Sequence, residues 1–483
     1  MSQGTHQAVV SPQVIARGPE WWKRRTAWLR ESINGRIFAA TALIATIGIL
    51  VKITSLGKEV LVARYFGASD MLDCFYVAFL LPTFLIGILA NSCNDALIPT
   101  YIEVRETEGL HAAGRVFSSV ASLYVLMLLG ASASLALLQR WFLPVLGSSF
   151  GPDKLALTRS LFFILLATLS LSGMSALWRA VLNAHEYFAL TATAPICIPL
   201  AIGIGLLLHG RDWRIYAITF GVIFGVSAEL ICNGYGLWRL GLSLVPRWNG
   251  FEKAVRQVLK QAVPAAAAAA LMGSTLLVDQ AMAAMLGSGN VSAFNYASKL
   301  IPVILGIGTT AFSVAVFPAL SRLGANRNWS TVREVLSFYT RLILLVTIPV
   351  TVIMVVSSNW IVALVFQRGA FTAETAHLVA HVQALLSLEI PFYALCILCA
   401  SAVCAFKRNG VLLWGTAICV VVNVVLNYAF MKMFGLPGIA LSTSAVYAVS
   451  FVYLRLMVDR AIRQEESVAE RTADAVMVVL EPG

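Results

Sequence analysis

Three lysines stand where an apolar sequence should carry no charge. Lys52 and Lys58 lie in the apolar run 37–62, and Lys299 lies in a second run, 291–317. Lys52, Ser55 and Glu59 follow an i, i+3, i+7 spacing, which sets them on one face of a helix. Lys58 falls about 120° from that face in a regular helix, although Gly57 beside it can loosen the turn. Asp73, Glu229, Asp279 and Glu389 place carboxylates in or beside other apolar runs. A charge at bilayer depth costs roughly 3 kcal/mol or more, so such groups face a partner or a wet cavity. The chemistry on offer is non-covalent. Lys52, Lys58 and Lys299, supported by Ser55 and Asp73, are candidates to bind an anionic substrate. Glu59, Asp279, Glu229 and Glu389 are candidates for ion coupling and charge balance. A plainer reading puts Lys58 and Glu59 at the outer interface, with the lysine snorkelling into water.

Long apolar helices must hold those side chains, and the composition supplies them. Of 483 residues, 59% are hydrophobic and only 12% charged, which excludes a water-soluble enzyme. The 34 Gly and 16 Pro are too few for a collagen-like or disordered chain. Apolar runs of about 20 residues match a bilayer core of about 30 Å, and the alternating pattern of a membrane β-barrel is absent. The expected fold is an all-α polytopic membrane protein with about twelve transmembrane helices in two six-helix lobes. The first six spans are expected at 37–62, 70–92, 116–138, 158–180, 188–208 and 215–237. The second six are expected at 257–285, 291–317, 337–357, 375–403, 411–431 and 438–457. The chain then divides into a basic N-terminal segment (1–36), an N-lobe (37–245), a C-lobe (246–459) and a polar, mobile cytoplasmic tail (460–483). Trp21, Trp22, Trp28, Leu29 and Ile33, mixed with Lys23, Arg24, Arg25 and Arg30, suit an interfacial helix better than a cleaved signal.

The net charge of +11 bears on topology before it bears on partners. With the N-terminus inside, 24 of the 35 Lys and Arg fall in cytoplasmic segments and eight in external ones. The remaining three, Lys52, Lys58 and Lys299, fall inside expected spans. That asymmetry predicts cytoplasmic termini, with lipid rather than nucleic acid as the basic face's neighbour.

The halves overlay at an offset of 220, which matches Glu59 with Asp279, Gly67 with Gly287, Tyr76 with Tyr296 and Pro82 with Pro302. Trp141 and Trp360 begin comparable external loops. Six spans per half give parallel repeats about an axis along the membrane normal, an arrangement of transporters that rock two bundles around a central site. Pro82, Pro195, Pro199, Pro264, Pro302, Pro349 and Pro391 can bend spans, and Ala265 to Ala270 allow a close helix approach.

Other chemistry is weakly supported. Cys396 and Cys399 form a C-x-x-C at lipid depth, where small packing residues are the better reading than a redox pair. His377 and His381 have metal-ligand spacing but no third ligand nearby in sequence. No nucleophile elbow, Walker loop or zinc-protease motif occurs.

One set of motifs is more specific. Lys58-Glu59-x-x-x-Ala63-Arg64-x-Phe66-Gly67-Ala68 is followed by Asp73-x-Phe75-x-Val77-Ala78-Phe79-x-Leu81-Pro82 and by Pro99. This resembles the first two spans of the MurJ/MviN lipid II flippases of the multidrug/oligosaccharidyl-lipid/polysaccharide (MOP) exporter superfamily. Val365-Phe366-Gln367-Arg368-Gly369-Ala370-Phe371-Thr372 resembles that family's loop before span ten, and Leu182-Asn183 with Phe188 and Pro195, and Tyr296-Ala297-x-x-Leu300, also fit. The resemblance implies a V-shaped, two-lobed flippase whose central cationic cavity holds a lipid-linked pyrophosphate. Lys52, Lys58 and Lys299 stand at three of the family's arginine places, whereas Ile86 stands at the second-span arginine. Ser298 replaces the acid before the eighth-span cation, and Asp73 keeps the second-span acid. Members with fourteen spans use the last two to extend a groove for the polyprenyl tail, and twelve are expected here.

The expected function is therefore a flippase for a polyprenyl-pyrophosphate-linked glycan, either lipid II or an exopolysaccharide repeat unit, working by alternating access. It is expected to be a transporter rather than an enzyme, with no cofactor and no metal. Its expected partners are the anionic lipid-linked glycan, membrane lipids and glycan-assembly enzymes, with no nucleic acid, and the chain is expected to act as a monomer. The alternatives are a MATE-like small-molecule or drug exporter, which lysines in the cavity oppose because they repel cations, and a non-transporting scaffold for envelope biogenesis.

Overall fold

The computed structural model describes residues 33–306, 320–323, 329–406, 408 and 410–480, with side chains described between 45 and 467 in those ranges. The expected interfacial segment before 33, the second part of expected span eight and Lys407 lie outside the described residues. Every regular element among the described residues is helical. The first half contains α1 (Ile33–Phe66), α2 (Asp70–Glu108), α3 (Leu110–Leu146), α4 (Pro152–Ala184), α5 (Phe188–His209) and α6 (Ile215–Arg239). The second contains α7 (Lys253–Met285), α8 (Asn290–Lys299), α9 (Trp329–Val356), α10 (Ser358–Phe366), α11 (Ala373–Ser387), α12 (Glu389–Ala405), α13 (Gly410–Phe434) and α14 (Leu436–Leu480).

Among the described residues, ten candidate spans are long and apolar enough to cross a membrane, with α11 and α12 counted as one, and they coincide with ten of the twelve expected. Expected span one is the 34-residue helix α1. Expected span eight begins as α8, breaks at Leu300 and resumes over 301–306. Pro302, which lacks the N–H that a continuous helix would use, lies two residues past the break. Several helices outrun their apolar stretches. Helix α2, for example, runs 39 residues to Glu108 through Pro99. Apolarity marks the bilayer, whereas a helix continues into water until a residue such as Gly109, at φ 88°, ends it.

The repeat is visible in the backbone. Gly67 ends α1 at φ 56° and Gly287 follows α7 at φ 100°, so both equivalent turns use a left-handed glycine. The same offset of 220 carries Asp70, which opens α2, onto Asn290, which opens α8. The repeats then diverge, because α2 passes through Pro82 unbroken while α8 stops before Pro302.

The larger buried core joins the halves, running from Val62, Leu72, Tyr101 and Leu161 to Phe294, Phe366 and Leu386. A smaller one gathers Leu320, Trp329, Leu336, Leu398, Val458 and Ile462. Around it the chain corrects an expectation: the segment from 460, read as a mobile polar tail, continues α14 as helix. Arg333 pairs with Glu466 at 2.8 Å, and Arg408 meets Glu465 at 3.2 Å and Gln464 at 2.7 Å. Polar composition leaves a helix free to form where partners on neighbouring elements hold it.

Within lipid, helices associate through close packing rather than through the hydrophobic effect. Gly221 and Gly225, four apart on α6, supply this against α5. A Cβ at these positions would lie 2.8 Å from the Ile202 Cα and 2.5 Å from the Ile198 Cα. Gly225→Val is expected to destabilise the protein by about 1–3 kcal/mol through overpacking, read as a lower melting temperature in detergent. Gly130→Val, where a Cβ meets nothing within 4 Å, should leave the melting temperature unchanged.

Candidate functional site

Helix α1 carries the first charged group inward as its face predicts. The Glu59 carboxylate is buried, with 4% of its side chain exposed, and accepts a hydrogen bond from the Lys58 ammonium at 2.6 Å. Lys299, from the last turn of α8, lies 3.6 Å from the same oxygen. Lys58 and Glu59 therefore do not snorkel into water. They turn inward as a pair because a buried carboxylate needs a cation beside it. Lys299 is more open, with 41% of its side chain exposed. Lys52, between one and two turns earlier on α1, donates to the Pro302 carbonyl at 2.7 Å, just past the break in expected span eight. The three lysines thus converge on one junction between the repeats, where Glu59 offsets one of their three charges. Ser55 is half-buried on α1. Ile86 packs against the larger core, and Ser298 donates back to Phe294 O at 2.9 Å within its own helix.

Asp73 has a different place from the one the sequence suggested. It is buried on α2, and both carboxylate oxygens accept backbone N–H groups at the start of α8, from Gly289 at 2.6 Å and Ser292 at 2.7 Å. It caps that helix rather than facing the lysines, satisfying N–H groups that the first turn leaves without intrahelical partners. Around it, several contacts close this end of the bundle. Asp70 accepts from Lys154 at 2.5 Å and from the Ser288 hydroxyl. Ala370 N donates to Arg64 O at 2.9 Å, and the Tyr296 hydroxyl donates to Gly67 O at 3.2 Å. The Tyr296, Phe366 and Phe371 rings pack beneath, with centroids 5.3–5.8 Å apart. A Cβ on Gly67 would collide with the Ala370 carbonyl, and one on Gly369 with the Arg64 carbonyl, so only glycine permits this approach.

The remaining acids lie apart from the lysines. Asp279, buried on α7, accepts from the side-chain amides of Asn423 at 3.0 Å and Asn427 at 2.6 Å, and from the Thr443 hydroxyl at 3.2 Å. The amide oxygens of Asn423 and Asn427 are buried and have no partner among the described residues. Glu389 is half-buried where span ten breaks between α11 and α12. Glu229 on α6 accepts from Ser175 at 3.0 Å and from Arg179 at 3.2 Å, both on α4, which places it inside the first half. Sequence reasoning missed Asn423, Asn427 and Thr443. The i, i+4 asparagines inside an apolar span were the available signal. It also missed Asp70, Lys154 and Ser288, which lie at or near the ends of expected spans. Cys396 and Cys399 are free thiols in packed helices. His377 and His381 are exposed on α11, and no three metal-ligating side chains gather among the described residues.

If Asp73 holds the closed end, Asp73→Ala should loosen it. A helix cap contributes about 1 kcal/mol, so a cysteine at position 290 in a cysteine-free background should react severalfold faster with a membrane-impermeant maleimide. An unchanged rate would show that the cap does not hold the closure.

The chain can now be set beside known proteins. The family model described as "Lipid II flippase MurJ" matches residues 62–480. The probable lipid II flippase MurJ of Buchnera aphidicola subsp. Acyrthosiphon pisum (strain APS) is 24% identical over 430 residues, covering 87% of this chain and 83% of that protein. The lipid II flippase MurJ of Burkholderia cenocepacia is 25% identical over 433 residues, covering 84% of this chain and 80% of that protein. Among solved structures, a lipid II flippase MurJ in an inward closed conformation superposes with a TM-score of 0.75 at 20% identity, over 92% of this chain and 94% of that one. An inward-facing MATE transporter of the MOP superfamily superposes with a TM-score of 0.70 at 13% identity, over 88% and 99%. The fold is thus the one shared by MurJ and MATE transporters, and the matched family model takes in Lys299 and most of the chain but begins after Lys52, Lys58 and Glu59. The chain belongs to the MurJ lipid II flippase family.

Proposed function

We propose that this protein moves lipid II from the inner to the outer leaflet of the bacterial plasma membrane, holding the pyrophosphate at the junction of Lys52, Lys58 and Lys299. The observation that carries this reading is the charge at that junction: two ammonium groups lie against one buried carboxylate and a third, Lys52, rests on the neutral Pro302 carbonyl, leaving two positive charges for an anion. Lysine supplies charge without the planar fork of arginine, so the grip on phosphate is electrostatic rather than bidentate. Small-molecule cation export is not favoured, because the same charges repel it. Relatives named as lipid II flippases favour lipid II over an exopolysaccharide unit.

The sided count of cations supports cytoplasmic termini, which puts the closed end at Gly67 and Gly287 on the external side. The headgroup then enters from the cytoplasm, replaces water around Lys299, and is released outward once the external contacts part. No bond is made or broken, so the protein's work is the two-state exchange of access around a fixed site. Asp279 is proposed as the coupling carboxylate. The two buried amide oxygens of Asn423 and Asn427 support a small monovalent cation there, since turning both amides would give that cation a set of oxygen ligands. Glu389 and Glu229 are proposed to balance charge within their own halves.

Purified protein in proteoliposomes should translocate lipid II, and Lys52→Ala and Lys299→Ala should each lower the rate about tenfold or more, as for loss of a charged hydrogen bond of ~1.5–3 kcal/mol. Full activity in both variants would sink the assignment of the cavity. Asp279→Asn is expected to abolish the response of that rate to an imposed cation gradient while leaving lipid II binding within about twofold, a difference of under ~0.5 kcal/mol.

A further inference from the structure

The Lys52 ammonium is held differently from the other two. Lys58 and Lys299 lie against the Glu59 carboxylate, whereas Lys52 donates to the neutral carbonyl of Pro302, 250 residues away in sequence. Room for it comes from one missing side chain. A Cβ built on Gly306, one helical turn beyond Pro302, would fall on the Lys52 Nζ and lie 3.2 Å from its Cε. The α1 glycines Gly48 and Gly57 differ, since a Cβ on either meets nothing within 4 Å. The absence of a side chain is therefore used at 306.

We propose, resting on the flippase reading above, that Gly306 is a positioning residue for capture of the substrate phosphate. The notch it leaves berths the Lys52 ammonium on the Pro302 carbonyl, from which an arriving pyrophosphate draws it. An ammonium has three donors, and the carbonyl takes one of them. A phosphate oxygen is charged and makes the stronger hydrogen bond, so it outcompetes a neutral carbonyl for the same group. The berth keeps Lys52 within reach of the junction before substrate arrives, and it ties α1 to the broken segment of span eight until then. An alanine at 306 would push the ammonium away and remove both effects, while alanine itself suits a helix.

The test uses full-length protein in nanodiscs, with lysine acylation followed residue by residue by mass spectrometry. Gly306→Ala should raise Lys52 acylation severalfold and leave Lys253, at the start of α7, unchanged. Inorganic pyrophosphate should protect Lys52, with a half-protecting concentration about tenfold higher in Gly306→Ala. In proteoliposomes, Gly306→Ala should slow lipid II translocation about as much as Lys52→Ala, and Lys52→Ala/Gly306→Ala should be no worse than Lys52→Ala alone. Wild-type acylation and protection in Gly306→Ala would overturn the proposal. So would a double variant slower or less heat-stable than Lys52→Ala, since Gly306 would then serve packing rather than the lysine. If wild-type protein moved no lipid II while the acylation contrast and the protection shift held, the flippase reading would fail and the positioning role would stand.

Discussion

One buried carboxylate sets the terms for the middle of this protein. Glu59 is buried with cations from two different repeats beside it, and a charge there is tolerated only while they stay. Helices α1 and α8 are therefore held in register by electrostatics where greasy side chains alone would allow sliding. The same requirement leaves an excess of ammonium groups at the junction, because one acid cannot neutralise three. The scaffold's demand for a counter-ion and the affinity for a phosphate-bearing ligand thus have a common origin. Lys52 completes the junction from one to two turns away by holding the segment in which the helix ladder is interrupted.

The repeats are equivalent in backbone and unequal in use. Both enter through a left-handed glycine, and both place a proline at the same register, yet only the second breaks there. An unbroken α2 gives the first half a rigid post that packs against α4 and α7. The interrupted partner exposes backbone to which a lysine can attach. Asp73 then uses the rigid post to cap the interrupted helix. One copy is a continuous helix and the other an interrupted one, although the two share a sequence pattern.

Much of the architecture was legible in the sequence because bilayer thickness imposes a length on each apolar run. Ten spans followed from that, and the glycine turns and the offset of 220 from matched acid, Gly, Tyr and Pro positions. The end of α2 was not legible, since helices persist beyond the lipid for reasons hydropathy does not register. Nor was the helical course of α14 past 460, which depends on Arg333 and Arg408 from distant parts of the chain. For the site, residue type and helical spacing identified Lys52, Lys58, Glu59 and Lys299, because charge in an apolar run is conspicuous. Direction was harder to read. Asp73 looked like a ligand group and proved to be a cap, because its partners are backbone amides 216 and 219 residues away, which leave no trace in residue type. The residues around Asp279 are neutral amides and a hydroxyl, and such groups attract notice only once a carboxylate is found among them.

The contacts that close the far end are unusual in kind. Ala370 N on Arg64 O, the Tyr296 hydroxyl on Gly67 O, and the amides of Gly289 and Ser292 on Asp73 all involve main-chain groups. Water can take the place of either partner in such a bond, and the net difference is about 0.5–1.5 kcal/mol for each neutral one and about 1.5–3 kcal/mol for those to Asp73. The main-chain part of such a closure can be exchanged for water at modest cost. A carrier must pass through both conditions in every cycle and return unchanged, so a seal of deeply interlocked side chains would trap it in one of them. Main-chain groups with glycines between them give a joint that shuts firmly in geometry and loosely in energy, and it can be worked repeatedly without wear.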